Sequence, residues 1–153
     1  IRPIDKICKD NGMSVSTGAA RSSGVGDQAS ADFEAMLAEA REAFVDWAIR
    51  SLGKSKSAAK GLAGDDFAAS LETVLDTFHD LKGGGGGVGL SLMSSIGDSA
   101  CGYLRKLEAP SDHAAKVVEA HIVAAEGVLA AGIEGDGAAA GASLTAKLRA
   151  FAA

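Results

Sequence analysis

The chain has 153 residues and a formal net charge of -5. That length suits one domain with a real core, and the mild acidity argues against nucleic acid, whose binders carry a basic stripe. No apolar run is long enough to span a membrane and no secretory leader pattern occurs; Cys8 and Cys101 stand far apart, in no metal or redox spacing, which fits a reducing cytoplasmic setting.

Only two prolines, abundant alanine and no alternating β-branched runs predict an all-α fold. Residues 1–28 are rich in Ser, Gly and Thr without sustained periodicity, which predicts a disordered tail. Within it Met13 reads as the native start and Ile1–Gly12 as a remnant of expression cloning. The domain proper is 29–153. Its first helix is expected from Ser30 to Leu52, with Phe33, Leu37, Ala40, Phe44 and Trp47 forming one buried stripe. "GKSKSAAKG" reads as a link.

A second helix is expected from "GDDF", with Asp65 as N-cap. Phe67, Leu71, Val74, Phe78 and Leu81 repeat along it at spacings of four and three, the cleanest seam in the chain. A third helix covers about Ser91 to Leu107, with Met93, Ile96, Ala100, Leu104 and Leu107 on one face, and ends before Pro110. A fourth runs from about Ser111 to Ala131, with Val118, Ile122, Ala125 and Leu129 inward. A short last helix from Ala138 to Phe151 carries Leu144, Leu148 and Phe151. Long amphipathic helices with short links predict an antiparallel up-and-down four-helix bundle with an extra short C-terminal helix.

The unusual stretch is "FHDLKGGGGGVG", Phe78–Gly89. Each residue turns about 100° around a helix, which puts His79 roughly 120° from the middle of the seam, toward solvent. Lys82 borders the same surface one turn on, and Gly83 and Gly86 lie beside and beyond the histidine. Each glycine costs about 0.8–1 kcal/mol against alanine inside a helix, so composition favours a flexible link after Lys82. A second reading keeps the helix going: the glycines strip it of side chains so that another protein can approach His79.

Other candidate sites are weaker. "GGGGVG" matches G-x-G-x-x-G but follows a helical pattern and lacks the strand context. "GKS" at Gly53–Ser55 lacks the upstream glycine of a phosphate loop, because position 48 is Ala48. His121 reads as a partly buried structural histidine, His113 as a solvated one, and Cys101 as a small buried residue. The three histidines show no metal-ligand spacing.

The run H-D-L-K-G-x5-G, with His79, Lys82, Gly83 and Gly89, resembles the histidine-containing phosphotransfer (HPt) domain of bacterial phosphorelays, and "FHDLKG…IGDSACGYL" looks most like stand-alone proteins of alphaproteobacterial type. The resemblance spans about Ser30 to the C-terminus. It implies that His79, on the second bundle helix, accepts a phosphoryl group, that Lys82 neutralises its charge and that Gly83 leaves room for the partner. It also implies partner contact around Leu75, Asp76, Gly86 and Arg105. The implied partners are two receiver domains, one of a hybrid histidine kinase and one of a response regulator. No cofactor of the chain's own is implied, and Mg²⁺ would come with the receiver. One departure stands out: many members carry a glutamine on the following helix, and the ungapped equivalent here is Cys101, which is a poor substitute, with Tyr103 or Arg105 as stand-ins.

The chemistry agrees with the residues. A water-exposed imidazole is largely neutral at pH 7 and nucleophilic, and phosphoryl transfer asks mainly for positioning and charge neutralisation. No nucleotide-binding motif is present, so a relay intermediate is expected rather than an ATP-dependent kinase. It is expected as a cytoplasmic monomer that binds neither membrane nor nucleic acid. Two alternatives remain: a non-catalytic helical adaptor in which His79 is incidental, and the dimerising histidine hairpin of a sensor kinase.

Overall fold

The structure is a computed structural model that describes the backbone from residue 15 and side chains from residue 25, to residue 153. The described residues are helical with no strand: α1 (Val15–Ala59), α2 (Phe67–Gly85), α3 (Ser91–Leu104), α4 (Asp112–Ala131) and α5 (Ala138–Ala152), with 3-10 turns at Lys60–Ala63 and Gly86–Val88. The all-α expectation therefore holds. No helix among the described residues is long and apolar enough to cross a membrane.

The chain divides into two compact units inside α1, residues 1–39 and residues 40–153. In the first unit, residues 15–28 are helical where a disordered tail was expected; the proposed start at Met13 and residues 1–12 lie outside the described residues. Helix nucleation is costly and propagation is cheap, so a polar segment joined to an established helix can extend it despite its composition. Phe33, expected in the buried stripe, is 63% exposed, and Ala40 is exposed as well.

The second unit holds the core. Its α1 portion contributes Ala48, Leu52 and Ala59, with Phe44, Val45 and Trp47 packed against them. The expected link "GKSKSAAKG" is helical through Ala59 and passes into the 3-10 turn, burying Leu62. The helix continues because that segment still offers apolar positions on the inward face. From α2 come Val74, Phe78 and Leu81; from α3, Leu92, Met93, Ile96, Ala100, Cys101 and Leu104; from α4, Ala114, Val118, Ile122, Ala125 and Val128; from α5, Leu148.

The helix ends follow local chemistry with two differences from expectation. Asp66, not Asp65, occupies the N-cap position of α2, and its side chain makes no capping bond. The Phe67 amide is satisfied instead by the Gly64 carbonyl at 3.2 Å. Helix α3 stops at Leu104, three residues early, and Leu107 is half-buried against the core. Ser111 caps α4 by accepting from the Ala114 amide at 3.3 Å. Gly132, left-handed at φ 64°, closes it by donating its N–H to the Leu129 and Val128 carbonyls.

Helices α2 and α3 pack backbone to backbone at Gly97. A Cβ there would stand 2.7 Å from both the Phe78 carbonyl oxygen and the Lys82 amide nitrogen. Beside this contact His121 of α4 is fully buried. Its Nδ1–H donates to the Val117 carbonyl at 2.7 Å and its Nε2 accepts from the Ser99 hydroxyl at 2.9 Å. Its ring meets Phe78 edge-on, with centroids 6.1 Å apart. Burial holds the His121 imidazole below its ordinary pKa, partly offset by the Val117 bond.

Two predictions concern stability. Gly97→Ala should destabilise by about 1–3 kcal/mol through overpacking, whereas Gly127→Ala, in α4 with open space around it, should stabilise by about 1 kcal/mol; urea unfolding measures both. The pH dependence of His121 has a definite sign. The folded state disfavours the protonated ring, so its contribution is complete above the unfolded value of about 6.5 and is lost as pH falls below it. Unfolding free energies taken from pH 7.5 to 5 should therefore decline in wild type and decline less in His121→Gln; equal slopes would refute the assignment.

Candidate functional site

The α2 seam that buries Val74, Phe78 and Leu81 turns His79 outward. Its side chain is 64% exposed, and Nδ1 lies 3.3 Å from Asp80 Oδ1. With the proton on Nδ1 donated to Asp80, the lone pair of the ring sits on Nε2. Asp76, Lys82, Gly83, Gly86 and Arg105 are exposed as well, and Leu75 is half-buried against the core. Asp76, Lys82 and Gly83 lie three or four residues from His79 along α2, which places them on neighbouring turns.

The glycine run is mostly helical. Helix α2 continues through Gly85, a 3-10 turn follows to Val88, and Gly89 ends it at φ 79°. The five glycines do different things. A Cβ on Gly83 or Gly87 would meet nothing within 4 Å; on Gly84 it would press on the Phe44 ring at 2.7 Å; on Gly85 it would strike the Leu90 carbonyl at 2.8 Å and the Ser94 hydroxyl at 2.9 Å. The flexible-link reading is thereby corrected. Contacts from Phe44 and Ser94, available only where no Cβ intervenes, offset the low helix propensity of the run.

Ser94 secures the end of the helix. Its hydroxyl donates to the Lys82 carbonyl at 2.9 Å and accepts from the Gly86 amide at 2.8 Å. Arg41 holds the next turn, donating from Nε to the Val88 carbonyl at 2.8 Å and pairing with Glu134 at 2.6 Å. Paired backbone bonds, Gly135 N–H to Gly89 O and Leu92 N–H to Gly135 O, both 2.8 Å, tie the α2–α3 junction to the α4–α5 junction.

Lys82 is not a solitary cation. Its Nζ lies 2.8 Å from Asp98 Oδ1 on α3, and Arg149 of α5 approaches Asp98 Oδ2 at 3.6 Å. The Lys82 hydrogen bond holds the Asp98 carboxyl below its usual range; desolvation opposes it, and the charges of Lys82, Arg149 and Arg105 add to it. Sequence reading missed Asp98, Ser94, Arg41 and Arg149. The positions of Ser94 and Asp98, twelve and sixteen residues beyond Lys82, carry no periodic or motif signal that would link them to it.

Cys101 is fully buried, and burial raises its thiol pKa, so it is an inert core residue and not a hydrogen-bonding substitute for glutamine. Tyr103 is half-buried, and burial raises its phenol pKa. Its ring lies edge-on to exposed His113, centroids 6.2 Å apart. No group of three or more His, Cys, Asp or Glu side chains placed to hold a metal ion occurs among the described residues.

Comparison of the chain with protein-family models, curated proteins and solved structures returned no match.

The division of labour among the glycines is testable by thermal melting. Gly83→Gln should melt at or above wild type, since glutamine is the better helix former by roughly 0.5–1 kcal/mol and the site is open. Gly85→Ala should melt lower. A lower melting point for Gly83→Gln would mean that its side of α2 is packed.

Proposed function

We propose that the chain is a phosphorelay intermediate of the HPt kind, an antiparallel four-helix bundle that accepts a phosphoryl group on His79 from a receiver-domain aspartate and passes it to the aspartate of a response regulator. The observation that carries the reading is the outward His79 standing one turn from Lys82, beside a Gly83 with no neighbour within 4 Å of its missing Cβ. A docking protein meets a nucleophile, a cation and bare backbone on one helical surface.

The transfer balances simply. The Nε2 lone pair of neutral His79 attacks phosphorus in line as the P–O bond to the receiver aspartate breaks, and the electron pair of that bond stays with the carboxylate. The Nδ1 proton remains on the ring, next to Asp80. Return transfer to a second aspartate reverses these steps. Lys82 supplies positive charge to the equatorial oxygens. Mg²⁺ would arrive with the receiver, whose acidic pocket would hold it.

A helical adaptor is the competing reading. It draws support from Val25, Phe33 and Met36, which are 70%, 63% and 69% exposed along the early part of α1 and would suit a binding face.

Incubation with a radiolabelled phosphorylated receiver separates the two. Label should pass to the wild type, acid-labile and base-stable, and not to His79→Gln. Gly83→Gln should stay folded yet accept label at least about tenfold more slowly, because a misplaced approach costs heavily in phosphoryl transfer. A panel of receivers that labels neither the wild type nor the variants would favour the adaptor.

A further inference from the structure

Asp98 has two cationic partners on two helices, one tight and one loose. Lys82 of α2 sits at 2.8 Å from Oδ1, and Arg149 of α5 at 3.6 Å from Oδ2. All three side chains are about half exposed, at 42% for Lys82, 50% for Asp98 and 60% for Arg149, so each can change rotamer without disturbing the core. Lys82 is therefore engaged in the resting protein, by the one carboxylate that would have to release it before it could serve a phosphoryl group on His79.

We infer that Asp98 is a positioning residue that parks Lys82 near His79 and exchanges it for Arg149 when His79 carries phosphate. The inference rests on the assignment of His79 as the phosphate carrier. A phosphoryl group brings a charge of about -1.5 to -2 and three strong acceptor oxygens, against one charge on Asp98. His79 and Lys82 are i, i+3 neighbours on one helical surface, so the ammonium on its flexible stem can swing to the phosphoryl oxygens. Asp98 would then face the new anion unneutralised. The Arg149 guanidinium, already beside Oδ2, closes on the carboxylate with its planar fork. The arrangement keeps the lysine ordered before transfer and limits repulsion after it. No bond other than the P–O and N–P bonds of the transfer itself changes.

Asp98 and Arg149 have distinct expected effects on the equilibrium partition of phosphate between receiver and His79. Asp98→Asn removes both the competitor for Lys82 and the nearby negative charge, so the partition should move toward His79. Arg149→Gln leaves Asp98 unneutralised after the exchange, so it should move toward the receiver. Half-exposed ion pairs give shifts of about two- to fivefold. Since Arg149 acts through Asp98, the double variant should match Asp98→Asn alone, and Asp98→Glu should restore the wild-type partition. A merely structural role predicts changed melting temperatures and none of this pattern.

The measurement is the labelled-phosphate partition at equilibrium for wild type and the four variants, with thermal melts alongside. Phosphate on wild-type His79 with the same partition in every folded variant would overturn the exchange and leave the relay intact. Additive effects of Asp98→Asn and Arg149→Gln would also overturn it. Failure of wild-type His79 to take label would overturn the relay and the exchange with it.

Discussion

The close approach of α2 and α3 at Gly97 is the constraint on which the candidate site depends. With no Cβ between them, the α3 backbone lies against the Phe78 carbonyl and the Lys82 amide, the two positions that bracket His79 on its helix. The next residue on α3 is Asp98, and its carboxylate reaches the Lys82 ammonium. Ser94, one turn earlier, reaches the Lys82 carbonyl and the Gly86 amide. A larger residue at position 97 would push the helices apart and lengthen all of these contacts together. Behind the contact, Phe78 and Leu81 fill the core, and the buried His121 braces Phe78 from α4. The outward direction of His79 is the reverse side of that packing.

The glycine run shows how packing can override composition. Five glycines cost several kcal/mol as a helix in isolation, at about 0.8–1 kcal/mol each. Here Gly84 admits the Phe44 ring and Gly85 admits the Leu90 carbonyl and Ser94, while Gly86 donates to the Ser94 hydroxyl. Gly83 gains none of this. Its absent side chain has no structural return within the chain, and the same holds for Gly87. Gly89 is different again: its left-handed φ of 79° ends the turn, a conformation other residues adopt at a cost.

The first helix marks where periodic patterns stop being informative. Phe33, Leu37, Ala40, Phe44 and Trp47 form one stripe by spacing. Phe44 and Trp47 pack on the core, whereas Phe33 is exposed. Periodicity reports that a face is apolar and is silent about what covers it. Residues 15–28, expected in the tail, are helical, since a helix extended from an established one needs only propagation.

By itself the sequence determined the all-α class, the approximate spans of α3, α4 and α5, the outward direction of His79 and the neighbourhood of Lys82 and Gly83. These follow from a 3.6-residue repeat that any local window contains. It also placed His121 at least partly in the interior, since Val117, Val118, Ala124 and Ala125 lie at helical spacing around it. Tertiary structure alone decided that the glycine run is helical, that Cys101 is too buried to serve the site, and that Lys82 is held by Asp98 with Arg149 standing by. The physical reason is range. Backbone propensity and amphipathic spacing act within a turn or two, whereas the contacts of Gly97, Ser94, Asp98 and Arg149 join residues 8 to 51 positions apart, as from Gly86 to Ser94 and from Asp98 to Arg149, and exist only once the helices have packed.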